Sequence, residues 1–179
     1  MKELPVSIRQ RSLRQILRDP LGGARLRRPA DGMYKDLAAG DRLWLREAFH
    51  LEKHYDFTSP SVARARGAQP VFAANLHTSP AADSVLGNSR PAYTLLRDWH
   101  RYHFTVLAVE HQRLHDITLA EVQAEGFETR EAWFEEWDDL ISSVNGTVRD
   151  RRAAANPEVL AIDIELRREP LQNQRKEAA

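Results

Sequence analysis

Alternating and periodic apolar residues predict a chain that mixes strands with helices. The clearest strand is "PEVLAIDIEL" (157–166), in which four aliphatic residues share one face while Asp163 and Glu165 lie on the other. Similar patterns predict strands in "LPVSI" (4–8), "AGDRLWLREAF" (39–49), "QPVFAANL" (69–76) and "HFTVLAVEHQRL" (103–114).

Helical spacing occurs in three further segments. "RSLRQILRD" (11–19) predicts a short helix. Thr118 and Glu121 form a capping-box pattern before "LAEVQAE", and Gly126 is typical of a helix stop. The third segment, 129–146, predicts an acidic helix whose inward stripe is Trp133, Trp137, Leu140 and Ile141.

These elements lack a regular strand–helix–strand alternation, which favours an α+β fold. The expected architecture is a small curled antiparallel β-barrel with helices at its ends. Residues 54–95 contain four prolines and predict long loops around the strand at 69–76. A length of 179 residues is enough for one domain, so the prediction is a single domain over 1–179 with a polar C-terminal tail at 168–179.

Composition excludes several classes of site. The chain has no cysteine, so disulfides and thiolate metal sites are ruled out. His100 and His103 would face opposite sides of a strand, and no metal or other cofactor is predicted. The absence of a long apolar run argues against a membrane partner, and a cytoplasmic protein is the expectation.

A net charge of zero conceals two oppositely charged segments. Residues 1–30 carry eight basic and two acidic side chains, whereas residues 121–140 carry eight acidic and one basic. This asymmetry indicates either a basic binding face opposite an acidic outer face or two segments that attract each other.

The basic segment ends in "PLGGARLRRP" (20–29), where two glycines precede three arginines. One interpretation is a loop that meets phosphate through Arg25, Arg27 and Arg28, since a guanidinium group binds phosphate oxygens with two parallel hydrogen bonds. The other is a flexible, charged connector. In the strand at 39–49, Trp44 and Arg46 share a face. One interpretation is that Trp44 stacks on a base while Arg46 contacts phosphates. The other is that this face is simply solvated.

Several segments, in this order, resemble the ASCH group of the PUA-like superfamily, especially its bacterial and phage members. They are the helix ending in "QIL" with the loop ending in "RLRRP", then "GDRLWLREAF", "DWHRYHFTVLAVEHQRLHDITLAEVQAEGF" and "NPEVLAIDIEL". They cover about half of the chain. Residues 51–95 have no clear counterpart in the smallest members and are interpreted as an insertion.

The resemblance implies a PUA-like barrel that holds RNA or a nucleotide in a cleft. It adds Trp99 as a second candidate stacking plane and Arg101 as a further basic contact. The predicted nucleic-acid-binding residues are therefore Arg25, Arg27, Arg28, Trp44, Arg46, Trp99 and Arg101.

The resemblance also leaves a catalytic alternative. Some small ASCH proteins deacylate acetylcytidine with a lysine, a threonine nucleophile and a glutamate. Glu125 matches the glutamate, but Gly23 and Leu26 occupy the lysine and threonine positions. The alternative is thus a ribonuclease or amidohydrolase-like enzyme that uses Glu125, and a third reading is a protein-interaction domain that uses the acidic helix 129–143. No oligomeric state is predicted.

Overall fold

The computed structural model describes residues 1–8, 13, 16–17, 24–75, 85–142 and 149–171. Each strand predicted from alternation contains an observed strand, so these predictions are confirmed. The strands are β1 (Glu3–Ser7), β2 (Ala24–Pro29), β3 (Arg42–Arg46), β4 (Phe49–His50), β5 (Val71–Phe72), β6 (His103–Arg113) and β7 (Glu158–Arg167).

Five of the strands form one sheet with the order β1-β3-β6-β7-β2, and β4 pairs with β5 in a separate ribbon. β2 runs antiparallel to β7, from Ala24 opposite Ile164 to Pro29 opposite Val159. The α+β class is therefore confirmed. The barrel is not confirmed, because β1 and β2 end the strand order and a closed barrel needs its first and last strands to be hydrogen-bonded.

The helices in the described residues are α1 (Pro60–Ala65), α2 (Leu119–Ala124) and α3 (Arg130–Ser142). α2 begins at the predicted capping box, in which the Thr118 hydroxyl accepts from the Glu121 N–H at 3.2 Å and the Glu121 carboxylate accepts from the Thr118 N–H at 2.9 Å. It ends at Gly126, whose φ of 89° is a left-handed conformation that glycine adopts without strain.

The other helix predictions have mixed outcomes. α3 confirms the acidic helix with Trp133, Trp137 and Ile141 buried, while residues 143–148 lie outside the described residues. The helix predicted at 11–19 also lies mostly outside them. Its described positions Leu13, Ile16 and Leu17 are helical, and Leu13 is buried.

Two loop predictions need correction. Residues 24–29 of the proposed phosphate loop form the strand β2, because their backbone pairs with β7. The long loops expected in 54–95 contain α1, which Ser59 caps and Pro60 begins, and also several short 3-10 helices. Proline at the first helical position lacks only an N–H that would be unpaired there anyway.

The chain divides into two compact units. The first unit comprises Met1–Leu4, Arg11–Arg42 and Thr105–Leu166, and the second comprises Pro5–Gln10, Leu43–Phe104 and Arg167–Ala179. A core cluster of the first unit consists of Leu114, Ile117, Val122, Phe127, Trp133, Trp137, Ile141, Ala153 and Val159. A core cluster of the second unit consists of Phe49, Leu51, Tyr55, Ala63, Ala68, Phe72, Leu95 and Trp99.

Candidate functional site

Two arginines of β2 meet two glutamates of α2 and its C-cap in the first unit. Arg25 and Arg27 are two residues apart on a strand, so they share a face and are separated by roughly 6.6 Å. Glu121 and Glu125 are four residues apart on a helical turn, so they also share a face and are separated by roughly 6 Å along the axis. The similar spacing brings the arginine face and the glutamate face into register.

Arg27 bridges the two glutamates with the two ends of its guanidinium group. Its side chain is only 1% exposed. One terminal nitrogen donates to Oε1 of Glu121 at 2.7 Å, and the other donates to Oε1 of Glu125. The Cζ of Arg27 also lies 5.7 Å from the ring centroid of Trp133, which places the cation over an aromatic face.

The Glu125 carboxylate is fixed from two sides. Arg27 binds one oxygen, and the indole N–H of Trp133 donates to the other at 2.6 Å. The Glu125 side chain nevertheless remains 21% exposed. A carboxylate held in this way has one defined orientation and part of its surface accessible to a ligand.

The two glutamates have opposite pKa shifts. Burial raises the pKa of Glu125, and this effect outweighs the charge of Arg27, the indole hydrogen bond and the charge of Arg28. Burial also acts to raise the pKa of Glu121, but there the hydrogen bonds from Thr118 and the pairing with Arg27 outweigh it, so the pKa is lowered. Of the two carboxyl groups, Glu125 therefore keeps its proton to the higher pH.

Arg25 is engaged by carboxylates as well. It lies opposite Asp163 in the β2–β7 register and donates to both carboxylate oxygens, at 2.6 and 3.0 Å. A carboxylate oxygen of Glu110 and one of Glu121 each lie 3.3 Å from its Nη1 atom. The hydrogen bond to Asp163 is the largest cause of its raised pKa, against the opposing effect of burial. Arg25 and Arg27 thus contact carboxylates of the protein itself. This agrees with the interpretation that the basic and acidic segments of the sequence attract each other.

Arg28 occupies a different position from its two neighbours. It is half-buried, alternates in direction with Arg27 along the strand, and donates to the Arg27 carbonyl oxygen at 2.7 Å. Its positive charge still acts on Glu125 and favours the ionised carboxylate. The structure therefore brings Arg28 and Glu125 into one electrostatic environment in the first unit.

The remaining predicted contacts belong to the second unit. Trp44 and Trp99 are 6% and 8% exposed. Arg46 stacks on Trp44 with its Cζ 4.8 Å from the ring centroid, and Trp99 packs edge-on against Phe49 at 5.8 Å. Both indole rings are core side chains, and their assignment to nucleic acid remains a prediction.

Arg101 also has a protein partner in the second unit. It forms a two-pronged ion pair with the buried Glu47, at 2.9 and 2.7 Å, and lies over the rings of Phe72 and Tyr102. Burial opposes its charge, but the hydrogen bonds and charge of Glu47 outweigh this and raise the pKa of Arg101. The pair anchors the start of β6 to the segment that follows β3.

The two central histidines have structural partners. His100 Nε2 accepts from the Leu171 N–H at 2.8 Å while its Nδ1 faces the Arg97 carbonyl oxygen. This arrangement requires the neutral tautomer with its proton on Nδ1. His103 Nδ1 lies 2.8 Å from the Glu169 carbonyl oxygen. Within the described part of the chain, no three histidine and acidic side chains gather as a potential metal site.

Sequence reasoning missed several partners of the arginines. Glu121 was identified only as a capping residue, although its position four residues before Glu125 placed both carboxylates on one face. Asp163 could be found only from the strand register, and Trp133 was assigned to the core alone. Arg25 and Asp163 are 138 positions apart, so no local pattern connects them.

Comparisons with protein-family models, curated protein sequences and solved structures gave no match to this chain. The helices in the described ranges are too short or too polar to cross a bilayer.

Proposed function

We propose that this chain binds RNA or a nucleotide through Glu125 and Arg28. The observation that carries the proposal is the Glu125 carboxylate, which Arg27 and Trp133 orient while leaving it partly exposed in the field of Arg28. A fixed carboxylate accepts from the amino or imino groups of a base, and a guanidinium group donates to base carbonyls or phosphate. The resemblance to the ASCH group supports the same class of ligand.

The proposal assigns different roles to the three arginines of β2. Arg25 and Arg27 have carboxylate partners within the unit, so they act by orienting Glu121 and Glu125. Arg28 is assigned to the ligand because it is half-buried and its charge acts on Glu125. The PUA-like barrel implied by the resemblance remains part of the proposal, although the five-stranded sheet of the structure is open.

Binding of a fluorescein-labelled single-stranded RNA, followed by anisotropy over a range of salt concentrations, tests this function. Arg28→Gln is expected to weaken binding by roughly 10- to 150-fold, the range for loss of a hydrogen bond to a charged group. It should also reduce the salt slope by about 0.7 if the contact is a phosphate. Arg113→Gln is the matched control, because Arg113 is an exposed arginine of the same unit whose guanidinium contacts the Asn156 carbonyl oxygen instead.

If Arg28→Gln and Arg113→Gln lose the same RNA affinity, the binding is nonspecific electrostatic attraction, which would contradict a site at Arg28. No binding of RNA, cytidine or a cytidine nucleotide by the wild-type protein would contradict the function as a whole.

A second candidate function is supported by the raised pKa of Glu125. A carboxyl group whose pKa is raised keeps its proton to a higher pH than an ordinary glutamate and can act as a general acid, so the same site could hydrolyse RNA or an acylated nucleoside. Leu26 is buried in β2 and has no hydroxyl group, so it cannot supply the threonine nucleophile of the amidohydrolase members. A hydrolase here would have to activate water.

Measuring the turnover of RNA and of acetylcytidine distinguishes the binding function from the hydrolase. Glu125→Gln keeps the size of the side chain but cannot exchange the proton, so an enzyme should lose activity while its circular dichroism spectrum shows that the fold is retained. Product formation that persists in Glu125→Gln, or that is missing from the wild type, would eliminate this hydrolase and leave the binding function.

A further inference from the structure

His100 is a buried histidine whose ring joins two segments of the second unit. It is 4% exposed and lies directly after the 3-10 helix Arg97–Trp99. Its Nε2 atom accepts from the Leu171 N–H at 2.8 Å, and its Nδ1 atom faces the Arg97 carbonyl oxygen. The same carbonyl oxygen accepts from the His100 backbone N–H at 3.2 Å. The two ring nitrogens therefore connect the C-terminal segment to the helix.

The contacts of His100 select the neutral ring. A carbonyl oxygen can only accept and a backbone N–H can only donate, so Nδ1 must carry a proton and Nε2 must offer a lone pair. An imidazolium group is a donor at both nitrogens. Its Nε2–H would face the Leu171 N–H, and two donors in a buried position would share no acceptor. Protonation of His100 is therefore incompatible with the seated Leu171.

His103 holds the same segment in a way that protonation leaves intact. Its Nδ1 atom lies 2.8 Å from the Glu169 carbonyl oxygen, so this nitrogen must be a donor. An Nδ1–H group is present in the charged ring and in this neutral tautomer alike. The C-terminal segment thus has one attachment that a proton disrupts, at Leu171, and one that a proton preserves, at Glu169.

The ring that packs against His100 already carries a cation. The centroids of the His100 and Trp44 rings are 5.9 Å apart, and Trp44 is itself buried. Arg46 stacks on Trp44 with its Cζ 4.8 Å from the ring centroid. An imidazolium group would bring a second positive charge to this indole ring.

The charged groups on the segments that contact His100 are mostly cations. They are Arg46 on β3, Arg97 and Asp98 on the 3-10 helix, and Arg167, Arg168 and Glu169 on the C-terminal segment. Arg101, which follows His100, pairs with Glu47. Burial and an excess of positive charge both oppose the charged form of a histidine.

We propose that His100 is a pH-sensitive latch, which holds Leu171 while its ring is neutral and releases it when the ring gains a proton. Because the seated segment selects the neutral ring, the attachment is complete above the range in which an ordinary histidine titrates, near pH 6.5, and is lost progressively below it. Leu171 is buried, so its release exposes an apolar side chain and the surface that it covers. His103 continues to hold Glu169, which confines the change to the end of the segment.

Hydrogen–deuterium exchange of the full chain, followed by NMR from about pH 7.5 to about pH 5, tests the latch. After correction for the intrinsic pH dependence of exchange, protection of the Leu171 amide is expected to fall by up to about tenfold per pH unit below the histidine range, since release takes up one proton. The Leu45 amide, which donates to the Tyr102 carbonyl oxygen at 3.0 Å in the same unit, should keep its protection.

Two variants assign the proton to His100. In His100→Gln, the amide oxygen can accept from the Leu171 N–H but does not titrate, so the pH dependence of protection should disappear. His103→Gln is the matched control, because it removes the neighbouring histidine of the same segment and leaves His100 in place. Its Leu171 amide should still lose protection as the pH falls.

Three results would overturn the latch. They are protection of Leu171 that stays constant down to about pH 5, an equal fall in His100→Gln, and a parallel fall at Leu45, which would indicate global unfolding. If His100→Gln does not fold, the nitrogen chemical shifts of the wild-type ring decide. A ring that becomes charged at the pH where Leu171 loses protection supports the latch, and one that becomes charged while Leu171 stays protected overturns it.

Discussion

At the scale of single residues, Arg27 links the strand and the helix of the first unit. It is a buried cation with carboxylates at both ends of its guanidinium group and an indole ring against it. Lysine has one compact ammonium group, so it cannot reproduce this two-ended geometry. Arg27 therefore determines where Glu125 is held, although the sequence marks it only as one arginine of several.

Arg27→Met is expected to reduce the free energy of unfolding by about 1–3 kcal/mol, because it leaves two half-buried carboxylates without their cation. Arg28→Gln should change it by less than about 1 kcal/mol, since Arg28 is only half-buried. Urea denaturation of both variants measures the difference. Similar losses in the two variants would contradict the structural role assigned to Arg27.

The two glutamates should give opposite pH dependence. A carboxyl group whose pKa is raised by folding stabilises the folded state below its unfolded pKa, and this contribution is lost as the pH rises through the folded pKa. Relative to Glu125→Gln, the wild type should therefore lose stability as the pH rises above the ordinary glutamate range. Relative to Glu121→Gln, it should lose stability as the pH falls through the lowered pKa of Glu121. Denaturant midpoints measured as a function of pH check both signs.

At the scale of elements, α2 is a short helix whose stability depends on the residues that cap its two ends. It spans six residues, fewer than an isolated helix needs, and carries Glu121 inside and Glu125 at its C-cap. The capping box and Gly126 fix where it starts and stops, so they also fix the direction of both carboxylates. The site therefore depends on local capping as well as on Arg27.

Thr118→Ala should destabilise the protein by about 0.5–2 kcal/mol, because the Glu121 N–H loses its acceptor and the Glu121 carboxylate loses a donor. Thr118→Ser keeps the hydroxyl group and should retain most of the stability. Thermal unfolding of the pair checks this. An alanine variant as stable as the serine variant would show that the cap contributes nothing.

At the scale of the whole molecule, the C-terminal segment is attached to the second unit by two histidines. His100 accepts from the Leu171 N–H, His103 faces the Glu169 carbonyl oxygen, and the Leu171 side chain is buried. Residues 167–171 therefore pack onto the second unit, and the rest of the predicted polar tail, 172–179, lies outside the described residues.

A chain that ends at Arg168 is expected to lose about 2–4 kcal/mol of stability, from one buried leucine and two hydrogen bonds. A chain that ends at Leu171 is the control and should keep the stability of the full chain, because the residues removed are polar. Differential scanning calorimetry of the three lengths measures the effect. Equal stability of the two truncated chains would contradict the anchoring role of the histidines.

The sequence by itself determined the local elements. Alternation placed β1, β3, β6 and β7, and helical spacing with a capping box placed α2 and α3, because these signals depend on neighbours a few positions apart. It also singled out Glu125 and Arg28, whose role in binding remains a prediction. The strand at 24–29 was missed, because its alternating stretch from Ala24 to Arg27 is short and its pairing partner lies 130 or more positions away.

Only the tertiary structure decided which charges were already paired and which rings were exposed. Arg27 and Glu125 are 98 positions apart, and whether an arginine meets a carboxylate or solvent depends on how a strand and a helix pack. For the same reason, the tryptophans that the sequence assigned to stacking are buried, whereas Phe57 is exposed on a turn that Arg90 holds from 32 positions away. Burial is a property of the packed chain, and the type of a residue does not fix it.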